Sequence, residues 1–227
     1  MKKNPFILLC ALTAMLFALT PLPAAHADSP VTSTNFYEAY KDEPIVQKAL
    51  QAGGMTAELA AYLADKSSPL ALRAAVINAI GWDTEPTQRA EAYAQQAYGK
   101  SLAAFKKSEL RGDERFVIGY LLAMDDYLDT REAERWLDDA RQLLPDSFTA
   151  ALIHAIVQAQ EEMKVAGWPQ VWKTVADVAF DPDLEMDMRP EAAKIIIDYM
   201  VLYSDKKGNQ PLCRRKPPYA SNRGSRL

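Results

Sequence analysis

Histidine and cysteine are scarce in this chain of 227 residues: His26 and His154, Cys10 and Cys213, and no others. Two of each cannot assemble a histidine-rich zinc site or a cysteine cluster, so most zinc and thiol chemistry is excluded. Glycine is sparse as well, 9 residues against 14 prolines, and no glycine-rich phosphate loop occurs, which argues against nucleotide binding. The longest apolar run, residues 6–20, is about 15 residues, too short to cross a ~30 Å hydrocarbon layer comfortably. No integral membrane insertion is expected. With 49% hydrophobic and 25% charged residues, the composition is that of an ordinary globular chain.

What is present begins with an export pattern. Lys2 and Lys3 precede the apolar run, and Ala25, His26 and Ala27 place small residues at alternate positions before Asp28. A charged start, a short apolar stretch and a small-residue cleavage site make a secretory signal, so residues 1–27 are set aside from the fold and a periplasmic or secreted location is expected. Leu9 stands where a lipoprotein signal would need a small residue before Cys10. Loss of Cys10 leaves Cys213 as a lone thiol, read as an unpaired cysteine.

Charge divides the remainder. The formal net charge of −4 separates into +2 for residues 1–27, +6 for residues 205–227 and −12 for residues 28–204. The last segment sets Lys206, Lys207, Arg214, Arg215, Lys216, Arg223 and Arg226 against Asp205 alone, among Pro, Gly, Ser and Asn, and reads as a basic disordered tail. Its possible use is as an electrostatic arm for anions, against the plainer reading of a solvated end. No nucleic-acid partner is expected.

Residues 28–204 read as a single all-helical domain. Proline and glycine punctuate it: Ser68 and Pro69 open a helix carrying Leu72, Ala75, Val76, Ala79 and Ile80, and Gly81 ends it. The spacing predicts a further helix after Pro86, carrying Ala90, Tyr93, Ala94, Ala97, Leu102 and Phe105, with Gly112 as the next break. Residues 115–128 are apolar on two faces, which predicts a helix covered from both sides. Asp129 and Glu132 are spaced to cap the following helix reciprocally. Helices over 148–163, 169–180 and 190–203 complete the series, with shorter ones over 35–40, 44–51 and 56–64; no convincing strand alternation occurs. The expected fold is all-α: irregular antiparallel helix pairs forming a small solenoid or layered bundle.

Ala133, Leu137, Ala140 and Pro145 resemble, in order and spacing, the second half of a tetratricopeptide repeat, over about residues 114–145. Leu121 departs from that pattern, since the family places Gly or Ala there. Residues 70–81 are similar to the second helix of a HEAT repeat. These resemblances imply an α-solenoid whose first helices line a groove for a protein or peptide partner, and on that basis Arg115, Asp125 and Asp126 are the candidate partner contacts.

Candidate chemistry is thin. Asp181, Asp183, Glu185 and Asp187 alternate like calcium-loop ligands, but Met186 occupies the glycine position of such a loop and Ala192 the terminal glutamate position, so an acidic interhelical connection is expected. The acids of residues 125–139 alternate with Arg131 and Arg135 and read as a solvated face. His154, in an apolar helix, reads as a core or groove histidine. Trp168 and Trp172, one turn apart, are expected to pack their helix against a neighbour. No cofactor and no enzymatic activity are expected. The reading is an exported helical-repeat binding protein of the bacterial envelope, with a periplasmic immunity protein against a cell-wall-degrading toxin, or a carboxylate-dependent glycan hydrolase, as alternatives.

Overall fold

The computed structural model describes residues 29–204. The expected export signal and cleavage site, the expected basic tail, and Cys10, His26 and Cys213 lie outside the described residues. Nine α-helices occur among those described: α1 Pro44–Ala52, α2 Ala57–Ala64, α3 Leu70–Ile80, α4 Arg89–Tyr98, α5 Gly112–Asp125, α6 Arg131–Leu143, α7 Phe148–Glu162, α8 Trp168–Ala179 and α9 Pro190–Met200. Short 3-10 turns cover Phe36–Tyr40, Leu102–Ala104, Lys107–Glu109 and Val201–Tyr203. Among the described residues the only β feature is one isolated bridge, Ser147 to Glu185. The protein is all-α.

The local signals act as their chemistry dictates. Proline opens α1 and α9, where the missing N–H leaves nothing unsatisfied. Thr56 accepts the N–H of Leu59 at 3.2 Å and caps α2. Gly99, at φ 66°, takes the left-handed conformation that ends α4 at Tyr98. The helix expected to reach Phe105 therefore stops earlier, and Leu102 and Phe105 sit in the irregular link that follows.

Gly112 is not a break but the first residue of α5. It and Gly119 mark where α5 lies against α6: a Cβ at Gly112 would come within 2.9 Å of Leu143 Cβ, and one at Gly119 within 2.8 Å of Leu137 Cγ. Residue 112 opposing 143 and 119 opposing 137 makes the pair antiparallel. The small residue that brings these helices together is thus Gly119, two positions from the large Leu121.

Three helices, α3, α5 and α7, are buried nearly all round and pack on one another, and the remaining helices wrap them. One contiguous hydrophobic core results, with Phe36, Tyr93, Phe116, Tyr120, Phe148 and Trp172 among its largest members. The two ends of the described chain meet. Arg189, at the start of α9, donates its N–H to Tyr40 Oη at 2.9 Å and its guanidinium to the Ala39 carbonyl at 2.9 Å, pairs with Asp42 and Glu43, and lies 4.6 Å from the Tyr40 ring centre. In a solenoid each unit touches its sequence neighbours. Contact between the Phe36–Tyr40 turn and α9 instead joins elements far apart in sequence, within all-helical packing of the bundle or compact-solenoid kind.

Candidate functional site

Asp125 ends α5 and builds the site's frame. Its carboxylate accepts the N–H groups of Arg89 at 2.8 Å and Ala90 at 2.9 Å together with the Thr87 hydroxyl, while its carbonyl accepts the Thr87 N–H at 2.8 Å. These are the amides that open α4, so Asp125 pins the start of α4 to the end of α5. Asp126 accepts the N–H groups of Leu128 and Asp129, both at 3.1 Å, and turns the chain into α6. The expected pairing of Asp129 with Glu132 across the start of α6 does not form. Thr130 occupies the cap position and sends its N–H and hydroxyl to Glu161 of α7, at 2.7 and 2.9 Å. Asp129 instead takes a two-pronged contact from Arg131 at 2.7 and 2.6 Å, whose hydrogen bonds hold its carboxyl down at about 2.

This scaffold separates the start of α4 from the first turns of α6 and leaves a groove between them. A chamber of about 700 Å³ is lined by Gln88, Glu91, Leu122, Asp126, Glu132 and Arg135, among others. A second chamber of about 530 Å³ is lined by Phe105, Lys107 and Trp136 and shares Glu91, Leu102, Glu132 and Arg135 with the first, so the two adjoin. Glu91 is fixed, accepting from Gln95 Nε2 at 3.1 Å and the Leu102 N–H at 2.9 Å, and these bonds hold its carboxyl below the ordinary range. Lys107 closes the aromatic end, 2.7 Å from Asp139 and 4.5 Å from the Trp136 ring centre. By contrast, among the described residues no side-chain hydrogen bond or ion pair holds Glu132 or Arg135, which stand on α6 where the chambers meet.

The three residues expected to meet a partner are not equivalent. Asp125 and Asp126 line the larger chamber, but Asp125 is buried and its carboxylate is committed to α4. Arg115, at the other end of α5, donates Nε to the Leu110 carbonyl at 3.2 Å and lines neither chamber. At 1.5 Å per residue, it stands about 15 Å along the helix from Asp125. The groove is lined chiefly by α6 and by residues 102–107 of the link after α4, with Ala90 and Glu91 of α4 and only Leu122 and Asp125 of α5.

The remaining candidates are placed as follows. Asp187 accepts the Thr149 N–H and hydroxyl, both at 2.7 Å, and the Ser147 hydroxyl at 2.5 Å, so it anchors the start of α7. Asp181 accepts the Asp183 N–H at 3.0 Å, and Glu185 joins the bridge to residue 147 through its backbone. Among the described residues, no group of three or more His, Cys, Asp or Glu is arranged to hold a metal ion. His154 is 7% exposed, and neither ring nitrogen has a hydrogen-bond partner among the described residues. Burial, reinforced by Arg141 and opposed by Asp138, lowers its pKa. It borders a depression of about 400 Å³ with Glu134, Asp138 and Gln158, in which no serine, threonine or cysteine nucleophile stands. Trp172 is buried as expected, whereas Trp168 is 62% exposed.

Comparison with known protein families, curated proteins and solved structures finds no match. The functional argument therefore rests on the groove itself.

Proposed function

We propose that this protein is a non-enzymatic binding protein of the bacterial envelope, and that the groove between α4 and α6 receives an extended segment of a protein partner. The observation that carries this reading is a polar chamber adjoining an aromatic one, with Glu132 and Arg135 held by no side-chain hydrogen bond or ion pair among the described residues where they meet. An extended backbone offers hydrogen-bonding groups of both kinds, which suits a carboxylate and a guanidinium standing side by side. Leu102, Phe105 and Trp136 supply the apolar contact that gives affinity, while the charges set register and selectivity. Asp126 remains a rim contact in this arrangement, and Asp125 acts by holding the wall in place.

Site-specific photocrosslinking in the envelope tests it. A photoreactive residue at position 135 is expected to capture one discrete protein, and one at exposed Glu191 on α9 is expected not to. The charge reversals Glu132→Lys and Arg135→Glu should each lower that yield about ten-fold with far-UV helicity unchanged. Equal capture from both positions, or capture indifferent to both reversals, would refute the groove as the binding site.

A further inference from the structure

The depression of about 400 Å³ that His154 borders lies between α6 and α7, and Arg131 and Arg135 of α6 border both it and the groove. Thr130, at the start of α6, meets Glu161 in the last turn of α7, so the two helices run antiparallel. One turn further along α6 brings Glu134 to the level of Gln158, and a second brings Asp138 to the level of His154. Two side chains four positions apart on each helix thus face one shared space.

The chemistry of that space is one-sided. Among the described residues no side-chain hydrogen bond or ion pair holds Glu134, whose carboxyl is pushed up by burial and then by Glu161, Asp138 and Glu162, against the opposing charge of Arg135. Asp138 receives a donor from Gln142, whose Nε2 lies 3.0 Å from one carboxylate oxygen. Gln158 donates its amide N–H to Glu162 at 3.2 Å, and no described residue donates to its amide oxygen. His154 adds a ring 7% exposed, with both nitrogens buried and unpartnered among the described residues. Neutral imidazole keeps one nitrogen bare as an acceptor.

The cations at the rim leave these acceptors unmet. Arg131 is committed to both oxygens of Asp129, and Arg135 makes no side-chain hydrogen bond or ion pair among the described residues. Acceptors therefore exceed donors, and a buried polar atom left unpaired is costly until something pairs it. A metal ion does not answer, because the His, Asp and Glu side chains here are not arranged as a ligand set. Ammonium and guanidinium groups do: each is a donor-only cation, and charge-assisted bonds to carboxylates are the strong kind.

We infer that the depression binds one ammonium or guanidinium group, with Glu134 and Asp138 holding its charge and the His154 ring accepting one of its N–H bonds at the inner wall, and that the group is a lysine or arginine side chain of the segment in the groove. Only the source of the group rests on the groove reading; the chemistry of the depression stands apart from it.

NMR of the imidazole nitrogens tests the chemistry, since the full chain holds just one other histidine, His26, and the His154 signals are identified by their loss in H154F. N-acetyl-lysine methylamide and N-acetyl-arginine methylamide should shift those signals saturably, with Kd in the millimolar range. Tetramethylammonium, which carries the charge without an N–H, should not. The variant E134Q/D138N should weaken the response at least about ten-fold with helicity retained. No saturable shift from either compound, an equal shift from tetramethylammonium, or undiminished affinity in E134Q/D138N would each overturn the inference. Photocrosslinking from position 135 separates the sources: E134Q/D138N should lower partner capture if the cation belongs to the segment. Capture unaffected by that variant would overturn the assignment to a partner side chain and leave a free small amine as the ligand. Binding of the model compounds without any capture at position 135 would refute the groove and uphold the cation site.

Discussion

Gly119→Ala adds one methyl group to a contact that has no room for it. The new Cβ would stand 2.8 Å from Leu137 Cγ, 3.0 Å from Trp136 Cβ and 3.1 Å from the Leu137 backbone nitrogen. Non-bonded carbons are most favourably about 3.5–4.0 Å apart, so the helices must separate by several tenths of an ångström. Leu137 cannot swing away, because it is buried and its backbone is part of the obstruction. Overpacking of this kind costs about 1–3 kcal/mol. Alanine returns about 1 kcal/mol through helix propensity at an interior position. The expected net effect is a loss of up to about 2 kcal/mol, or a fall in Tm of up to roughly 8 °C at 2–4 °C per kcal/mol. Gly54→Ala is the control, since no atom lies within 4 Å of its added Cβ and its φ is not positive. Urea unfolding followed by far-UV circular dichroism, with equal slopes for the three proteins, isolates the difference. A Gly119→Ala protein more stable than wild type by the ~1 kcal/mol that helix propensity gives an unhindered alanine would show that α5 and α6 are not in close contact at that point, and the antiparallel register drawn from it would fall.

Ala133→Leu and Ala140→Leu, on the opposing face of α6, should each destabilise by about 1–3 kcal/mol in the same assay, because both alanines are buried; unchanged midpoints for both would refute the tight pairing. Asp125→Ala should cost about 1–3 kcal/mol by stripping the acceptor from the opening amides of α4, and hydrogen exchange should quicken at Arg89 and Ala90 before it does in α7. His154 makes stability depend on pH. Its folded pKa lies below the ordinary value of 6.5, so as pH falls through about 6.5 the unfolded chain takes up a proton that the folded chain refuses, and stability declines by at most about 1.4 kcal/mol per pH unit. His154→Leu should flatten the change in unfolding free energy between pH 7.5 and 5.5; an unaltered slope would assign it to other groups.

The helices were legible because their punctuation is local. Proline at the head of α1 and α9 and glycine at the end of α4 act through backbone geometry that any sequence carries with it. The 3.6-residue pattern of α6 places Ala133, Trp136, Leu137 and Ala140 inward. Where the reading slipped, a partner distant in sequence decided the outcome. Gly112 has the composition of a break, yet Leu143 and Leu144 across the helix pair require a small residue there and the chain stays helical. Asp129 and Glu132 have capping spacing, but Glu161, about thirty residues away, satisfies the Thr130 donors first. The contact of Arg189 with Tyr40 spans 149 residues, beyond any periodicity argument, and it ties the beginning of the described chain to the start of α9.

The candidate site was less legible for a related reason: sequence alone does not distinguish a carboxylate that is occupied from one that is available. Asp125 illustrates what would have helped. The last turn of a helix carries exposed carbonyls and negative potential, so an aspartate there is unfavourable unless something positive meets it. The amides at the start of α4 are that partner, and they bring their own helix's positive end with them. A misplaced Asp at a helix C-terminus is thus a signal of a tertiary anchor, not of a waiting binding contact. Glu132 and Arg135 carry the opposite lesson. They have the composition of any solvated helix face, and only the path of residues 99–110, turned by Gly99 across the front of α6, converts that face into one wall of a groove.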